Sequence, residues 1–125
     1  MSESDLDFLK AGYRAGYILD AVNKVLSGEI NLDAISHMDY LTAKKELMKI
    51  KGVGEKVADC VLLFSYGKTE AFPIDVWVGR IMRTLYLSEN ATIKDIRAES
   101  EKLFGKNAGI AQQYLFYYAR DNKIE

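Results

Sequence analysis

Two short stretches of the chain carry residues whose types and spacing could do chemistry. In the first, "KIKGVGEKVADC" at 49–60, Gly52 and Gly54 flank Val53, and Glu55 and Lys56 follow at once. In the second, "AFPIDVW" at 71–77, Asp75 stands two residues after the only proline of the chain. Glycines in such a hairpin can adopt positive φ and let another backbone come close. The first N–H groups of a following helix lack intrahelical partners, and with the helix dipole they make a seat for one phosphate. The plain alternative is an ordinary interhelical turn. Lys56 falls in the first helical turn, where the dipole disfavours a cation, and burial against Val57 and Cys60 is expected to favour the uncharged amine as well. An uncharged amine is a nucleophile. Its plain alternative is a solvated lysine on the open side of the helix. Asp75 reads as a helix N-cap. A carboxylate held there is fixed in direction, and beside a reacting sugar it could stabilise positive charge at the anomeric carbon or help move a proton.

The elements that must position these groups are helical. Apolar residues recur at helical spacing, and alternating runs rich in Val, Ile and Thr are missing. The sequence predicts a short helix in "SDLDFLKAG" ending at Gly12, and a second in "YRAGYILDAVNKVLSG" with Tyr17, Ile18, Val22 and Leu26 on one face and a stop at Gly28. Asn31 caps a third. "LTAKKELMKI" is expected to start at Thr42, and "EKVADCVLLFSYG" follows the glycine hairpin and ends at Gly67. Asp75 caps "VWVGRIMRTLYL", Thr92 starts a helix that Gly105 stops, and "NAGIAQQYLFYYARD" is the last. The expected fold class is all-α: one domain, residues 1–125, of about seven short helices.

Composition narrows the function classes. A chain that is 49% hydrophobic and 28% charged reads as globular. No apolar run approaches the roughly 20 residues of a membrane span, and the polar, acidic start is unlike a signal peptide, so the cytoplasm is the expected location. A single cysteine, Cys60, excludes an internal disulfide and any four-thiolate cluster. A single histidine, His37, leaves no His-rich zinc site. A net charge of −1 argues against coating nucleic acid by charge alone, but not against a local patch or main-chain amide contacts.

"KGVGEKVADCVLLF" followed by "FPIDVW" resembles the helix-hairpin-helix DNA glycosylases that carry a Gly/Pro-rich loop and a catalytic aspartate. "GVGEKVADC", "GYRAGY" and "AGIAQQYLF" together resemble the 8-oxoguanine DNA glycosylase branch, from about residue 10 to the C-terminus. The resemblance implies a bifunctional base-excision repair enzyme, a DNA N-glycosylase and AP lyase acting on duplex DNA that contains 8-oxoguanine opposite cytosine. The damaged base is flipped into a pocket, Lys56 attacks C1′ and forms a Schiff base, Asp75 assists base departure, and β-elimination nicks the strand.

Further roles follow from the resemblance position by position. Cys60 and Phe116 match the pair that sandwiches the flipped base; a soft sulfur and a ring suit a π-face, and core packing is their plain alternative. Gln112 matches the amide that reads the Watson–Crick edge. Arg14 matches an arginine on the orphaned cytosine. Gly52, Val53, Gly54 and Trp77 match positions near the DNA backbone. The main-chain carbonyls of Met48, Ile50 and Val53 match ligands of a monovalent cation, K⁺ or Na⁺; no other cofactor is expected.

The sequence departs from the family in two ways. Trp77 stands where members often carry a histidine, and an indole has one donor only. The sheet-containing part with which members usually begin does not precede "GYRAGY". The chain therefore reads as the C-terminal portion of a longer enzyme, either a piece cut from it, with Met1 an engineered start, or a truncated gene product, and by itself is expected to expose an apolar face and self-associate. Two other classes stay open: a non-catalytic helix-hairpin-helix DNA-binding module, which needs the hairpin but not Lys56, Asp75, Gln112 and Phe116 together, and a glycosylase for another oxidised purine. The iron–sulfur branch is excluded by the single cysteine.

Overall fold

The computed structural model describes residues 2, 4, 12 and 14–122. Among the described residues all regular structure is helical: α1 (Arg14–Ser27), α2 (Leu32–Ile35), α3 (Tyr40–Leu47), α4 (Glu55–Phe64), α5 (Val76–Leu85), α6 (Ile93–Phe104), a 3₁₀ turn (Gly105–Asn107) and α7 (Ala108–Asp121). This agrees with the all-α expectation. The short helix expected before Gly12 lies outside the described residues. The chain divides into two compact units, Met1–Ala58 and Asp59–Glu125, and α4 contains the boundary.

In the first unit each helix start has a stated cause. Asn31 Oδ1 accepts the Ala34 N–H at 3.1 Å and caps α2, as expected. α3 starts earlier than the sequence suggests. Its cap is Asp39, not Thr42: Asp39 has extended backbone and its Oδ1 accepts the Thr42 N–H at 2.8 Å. A carboxylate is the stronger acceptor of the two and adds a favourable charge at the helix N-terminus. Ala15, Ile30, Ile35, Ala43, Leu47 and Ala58 form the buried apolar positions of this unit among the described residues. The expected apolar face of α1 is only partly covered: Ile18 and Leu26 stand exposed.

In the second unit the core is Phe72, Ile74, Val78, Met82, Ile96 and Ala108, with Leu87, Phe104, Leu115 and Phe116 packed against it. Fully burying a side chain such as Ile or Met contributes about 1.5–3 kcal/mol. Thr92 and Asp95 close a capping box at the start of α6, with bonds of 3.1 and 2.9 Å. Gly105 stops α6 at φ 55°. α7 then lies against the segment 69–71: the Gly109 N–H donates to the Thr69 carbonyl at 2.7 Å. A Cβ at Gly109 would stand 2.6 Å from the Ala71 carbonyl oxygen, so only glycine fits this approach. Asp59, fully buried, pairs with Arg97 Nη1 at 2.7 Å and joins α4 to α6.

Candidate nucleic-acid interface and catalytic residues

The hairpin between α3 and α4 is built by local rules. The Val53 N–H donates to the Ile50 carbonyl at 3.0 Å, closing a tight turn. Gly52 takes φ 89°, a conformation that side chains resist. A Cβ there would also stand 2.6 Å from Tyr17 Cγ, so the loop lies directly on that ring. Gly54 does not share the positive φ that the sequence allowed for both glycines. Its role is different. Its carbonyl accepts the Ala58 N–H at 3.0 Å, which makes it the residue from which α4 starts. The helices α2, α3, α5 and α6 start on side-chain caps, from Asn31, Asp39, Asp75 and Thr92. Glycine has no side chain with which to cap the first amides of α4, and a helix start of this kind suits an anion.

Two polar contacts hold the hairpin within the first unit. Before it, the Lys51 N–H donates to Asp20 Oδ2 at 2.7 Å, and Lys24 Nζ lies 2.5 Å from the same oxygen. The bond from Lys24 and then that from Lys51 hold the Asp20 carboxyl below the ordinary aspartate range. After it, Lys44, 8% exposed, reaches Glu55 Oε1 at 3.1 Å and the Tyr40 hydroxyl at 3.2 Å.

Lys56 occupies the first turn of α4, as the sequence predicts. The expected burial is not found. Lys56 is exposed, and Val57 beside it is 46% exposed. The glycines at 52 and 54, just before the helix, bring no side chains to lay over the first turn, and the tertiary packing of α4 leaves that turn uncovered. The buried face of α4 runs instead through Ala58, Asp59 and Leu62. Cys60, which forms no disulfide, is half-buried one turn beyond Lys56.

The second unit holds Asp75, Gln112, Phe116 and Trp77. Asp75 caps α5 as expected: its Oδ1 accepts the Val78 N–H at 2.8 Å. Gln112 is not the exposed helical glutamine that would be its bland alternative; it is 4% exposed. Its Nε2 donates to the Pro73 carbonyl at 3.1 Å and its Oε1 accepts from Gln113 Nε2 at 2.6 Å. The structure thus brings Gln112 onto the short segment that carries Asp75. Phe116 is half-buried against the core, edge-on to Tyr117 with ring centroids 5.4 Å apart, and Arg120 lies 5.5 Å over its ring. Trp77 is half-buried, with the Arg80 guanidinium 5.3 Å over its ring. In the first unit, Arg14 is exposed at the first position of α1.

Met48 caps the C-terminus of α3. Carbonyls there lack intrahelical partners and lie at the negative end of the helix dipole, and Ile50 keeps a second lone pair beyond its bond to Val53. Hard main-chain oxygens of this kind fit an alkali cation. Among the described residues no group of three or more His, Cys, Asp and Glu side chains could hold a metal ion, and no helix is long and apolar enough to cross a membrane.

Sequence reasoning missed Asp20, Tyr17 and Lys44 around the hairpin and Gly109 under α7. The spacing of Asp20 and Lys24 signals a helical ion pair, but nothing in it points to a loop 31 residues away.

No family model matches the chain. It is 40% identical over 119 residues to a probable N-glycosylase/DNA lyase of Methanothermobacter thermautotrophicus, a match that covers 95% of this chain and 38% of that protein. It is 32% identical over 114 residues to the N-glycosylase/DNA lyase of Saccharomyces cerevisiae, covering 82% of this chain and 30% of that one. Its structure matches the crystal structure of Clostridium acetobutylicum 8-oxoguanine glycosylase/lyase, in complex with double-stranded DNA containing cytosine opposite 8-oxoG. That match has a TM-score of 0.92 at 44% identity, over 99% of this chain and 43% of that one. The chain therefore spans less than half the length of these relatives.

Proposed function

This chain belongs, over the stretch it spans, to the N-glycosylase/DNA lyase family of 8-oxoguanine glycosylases, and on that premise we propose that it acts in base-excision repair on duplex DNA containing 8-oxoguanine opposite cytosine. The observation that carries the proposal is the start of α4. Its N-cap is a glycine, which puts no side chain over the first turn, and Lys56 stands in that turn. A phosphate bound by those amides would bring the sugar backbone to a primary amine.

In this reading the flipped nucleotide presents C1′ to Lys56 Nζ. The amine forms a bond to C1′, the glycosidic bond breaks, and its electron pair leaves with the base, which is protonated as it departs. Asp75, directed by its bond to Val78, stabilises the positive charge that develops at C1′. Opening of the sugar ring, with O4′ protonated and the nitrogen losing a proton, gives a Schiff base. Loss of a C2′ proton then expels the 3′ phosphate oxygen, and the strand is cut on that side.

The flipped base is held by Cys60 and Phe116 on its faces and read on its edge by Gln112. A buried amide held by Pro73 and Gln113 is offered in one orientation, as edge reading requires. Arg14 contacts the orphaned cytosine. The carbonyls of Met48, Ile50 and Val53 would hold K⁺ or Na⁺, which would supply positive charge for a phosphate.

Borohydride trapping on an 8-oxoguanine·cytosine duplex tests the proposal. The intact protein gives a covalent adduct, and Lys56→Gln gives none. No adduct from the intact protein, or one that survives Lys56→Gln, overturns it. The exposure of Lys56 favours a second reading, a helix-hairpin-helix clamp without chemistry. That clamp would bind undamaged and damaged duplex alike, with a steep dependence on salt.

A further inference from the structure

The hairpin's contact with α1 extends the reading above and rests on it. We propose that Asp20 is a positioning residue for DNA binding: its carboxylate accepts the Lys51 N–H and thereby fixes the hairpin in the form that offers the first amides of α4 to a phosphate. Three observations converge on this. The bond joins groups 31 residues apart, at 2.7 Å, so it is a tertiary contact and not a helix-surface pair. The adjoining Gly52, at φ 89°, lies on the ring of Tyr17, which stands one turn before Asp20 on α1. Lys51 Nζ also lies 6.0 Å over that ring, so the same turn of α1 is met by the amide, the glycine and the cation of the loop.

Electrostatics make the assignment testable by sign. A carboxylate close to a DNA-binding loop repels phosphate, and removing it should tighten binding if charge were its whole effect. Lys24, 2.5 Å from the same oxygen, offsets part of that repulsion without taking the place of the acceptor. Beyond the loop, Lys44 does the matching work on Glu55, neutralising a carboxylate in the first turn of α4. The hairpin is thus tied on both sides by carboxylates that each have a lysine counter-ion.

Asp20→Ala and Asp20→Asn separate the two effects, because asparagine removes the charge and keeps an acceptor oxygen. Affinity for an 8-oxoguanine·cytosine duplex is measured with the intact protein at fixed salt. Exchange of the Lys51 amide hydrogen is measured without DNA. Asp20→Ala is expected to weaken binding about tenfold and to speed Lys51 exchange by a similar factor. Asp20→Asn should bind at least as tightly as the unsubstituted protein and keep the amide protected. Unchanged or tighter binding by Asp20→Ala overturns the proposal. Should the unsubstituted protein fail to bind duplex DNA, the function proposed above falls, and the Lys51 amide decides the positioning claim: acceleration in Asp20→Ala with recovery in Asp20→Asn supports it, and unchanged protection in Asp20→Ala overturns it.

Discussion

The side-chain amide of Gln112 donates to the main-chain carbonyl of Pro73 at 3.1 Å, so α7 grips the backbone two residues before Asp75. Both groups are buried. A buried main-chain carbonyl must find a donor. Gln112→Leu keeps the size of the side chain and strands that carbonyl. It should lower stability in urea denaturation by about 1–3 kcal/mol. Gln112→Glu, which replaces the donor by a second acceptor, should cost more. An unchanged urea midpoint in both variants would contradict this role.

Two glycines should respond in opposite ways. At Gly109 a methyl group meets Leu63 at 2.5 Å and the Ala71 carbonyl at 2.6 Å, and a backbone carbonyl cannot step aside. Gly109→Ala should destabilise the fold by about 1–3 kcal/mol, read as a lower urea midpoint. At Gly54 a methyl group meets nothing within 4 Å and φ is not positive. Gly54→Ala should leave the melting temperature unchanged while weakening DNA binding, because the methyl stands where the phosphate would approach.

The Asp59–Arg97 pair is a charge contact of the second unit with its carboxylate fully buried. Arg97→Ala leaves a fully buried carboxylate without this partner, and the loss should be about 3 kcal/mol. Replacing both residues with apolar side chains of similar volume should recover much of it. Denaturation of the single and double variants measures the difference.

Acid should release the hairpin. The Asp20 carboxyl is held below the ordinary value of 3.8 by Lys24 and the Lys51 N–H. The tie is therefore complete above that ordinary value and is lost as pH falls through the lower value of the folded state. The Lys51 amide resonance should follow this titration with a midpoint below 3.8. Asp95, lowered by its bonds to the Thr92 main chain and side chain, should titrate the same way at the start of α6.

What the sequence made legible was local. The caps at Asn31, Asp75 and Thr92 and the stop at Gly105 each follow from a residue and its near neighbours, and all are found. Thr42 misled because Asp39, three residues earlier, is the better acceptor. The contacts that were not legible are long in sequence. Asp20 on Lys51, Tyr17 under Gly52, Gln112 on Pro73 and Gly109 against Ala71 depend on how helices meet, which no local pattern encodes. The exposure of Lys56 belongs with them: helical periodicity locates the first turn of α4, but what covers that turn is set by tertiary packing.

The covalent role of Lys56 is reached most directly by proteolysis and mass spectrometry of the borohydride-reduced complex formed on an 8-oxoguanine·cytosine duplex. The account predicts that the deoxyribose remnant is attached to the peptide containing Lys56, at that side chain. A remnant on any other lysine or on the N-terminal amine would contradict it.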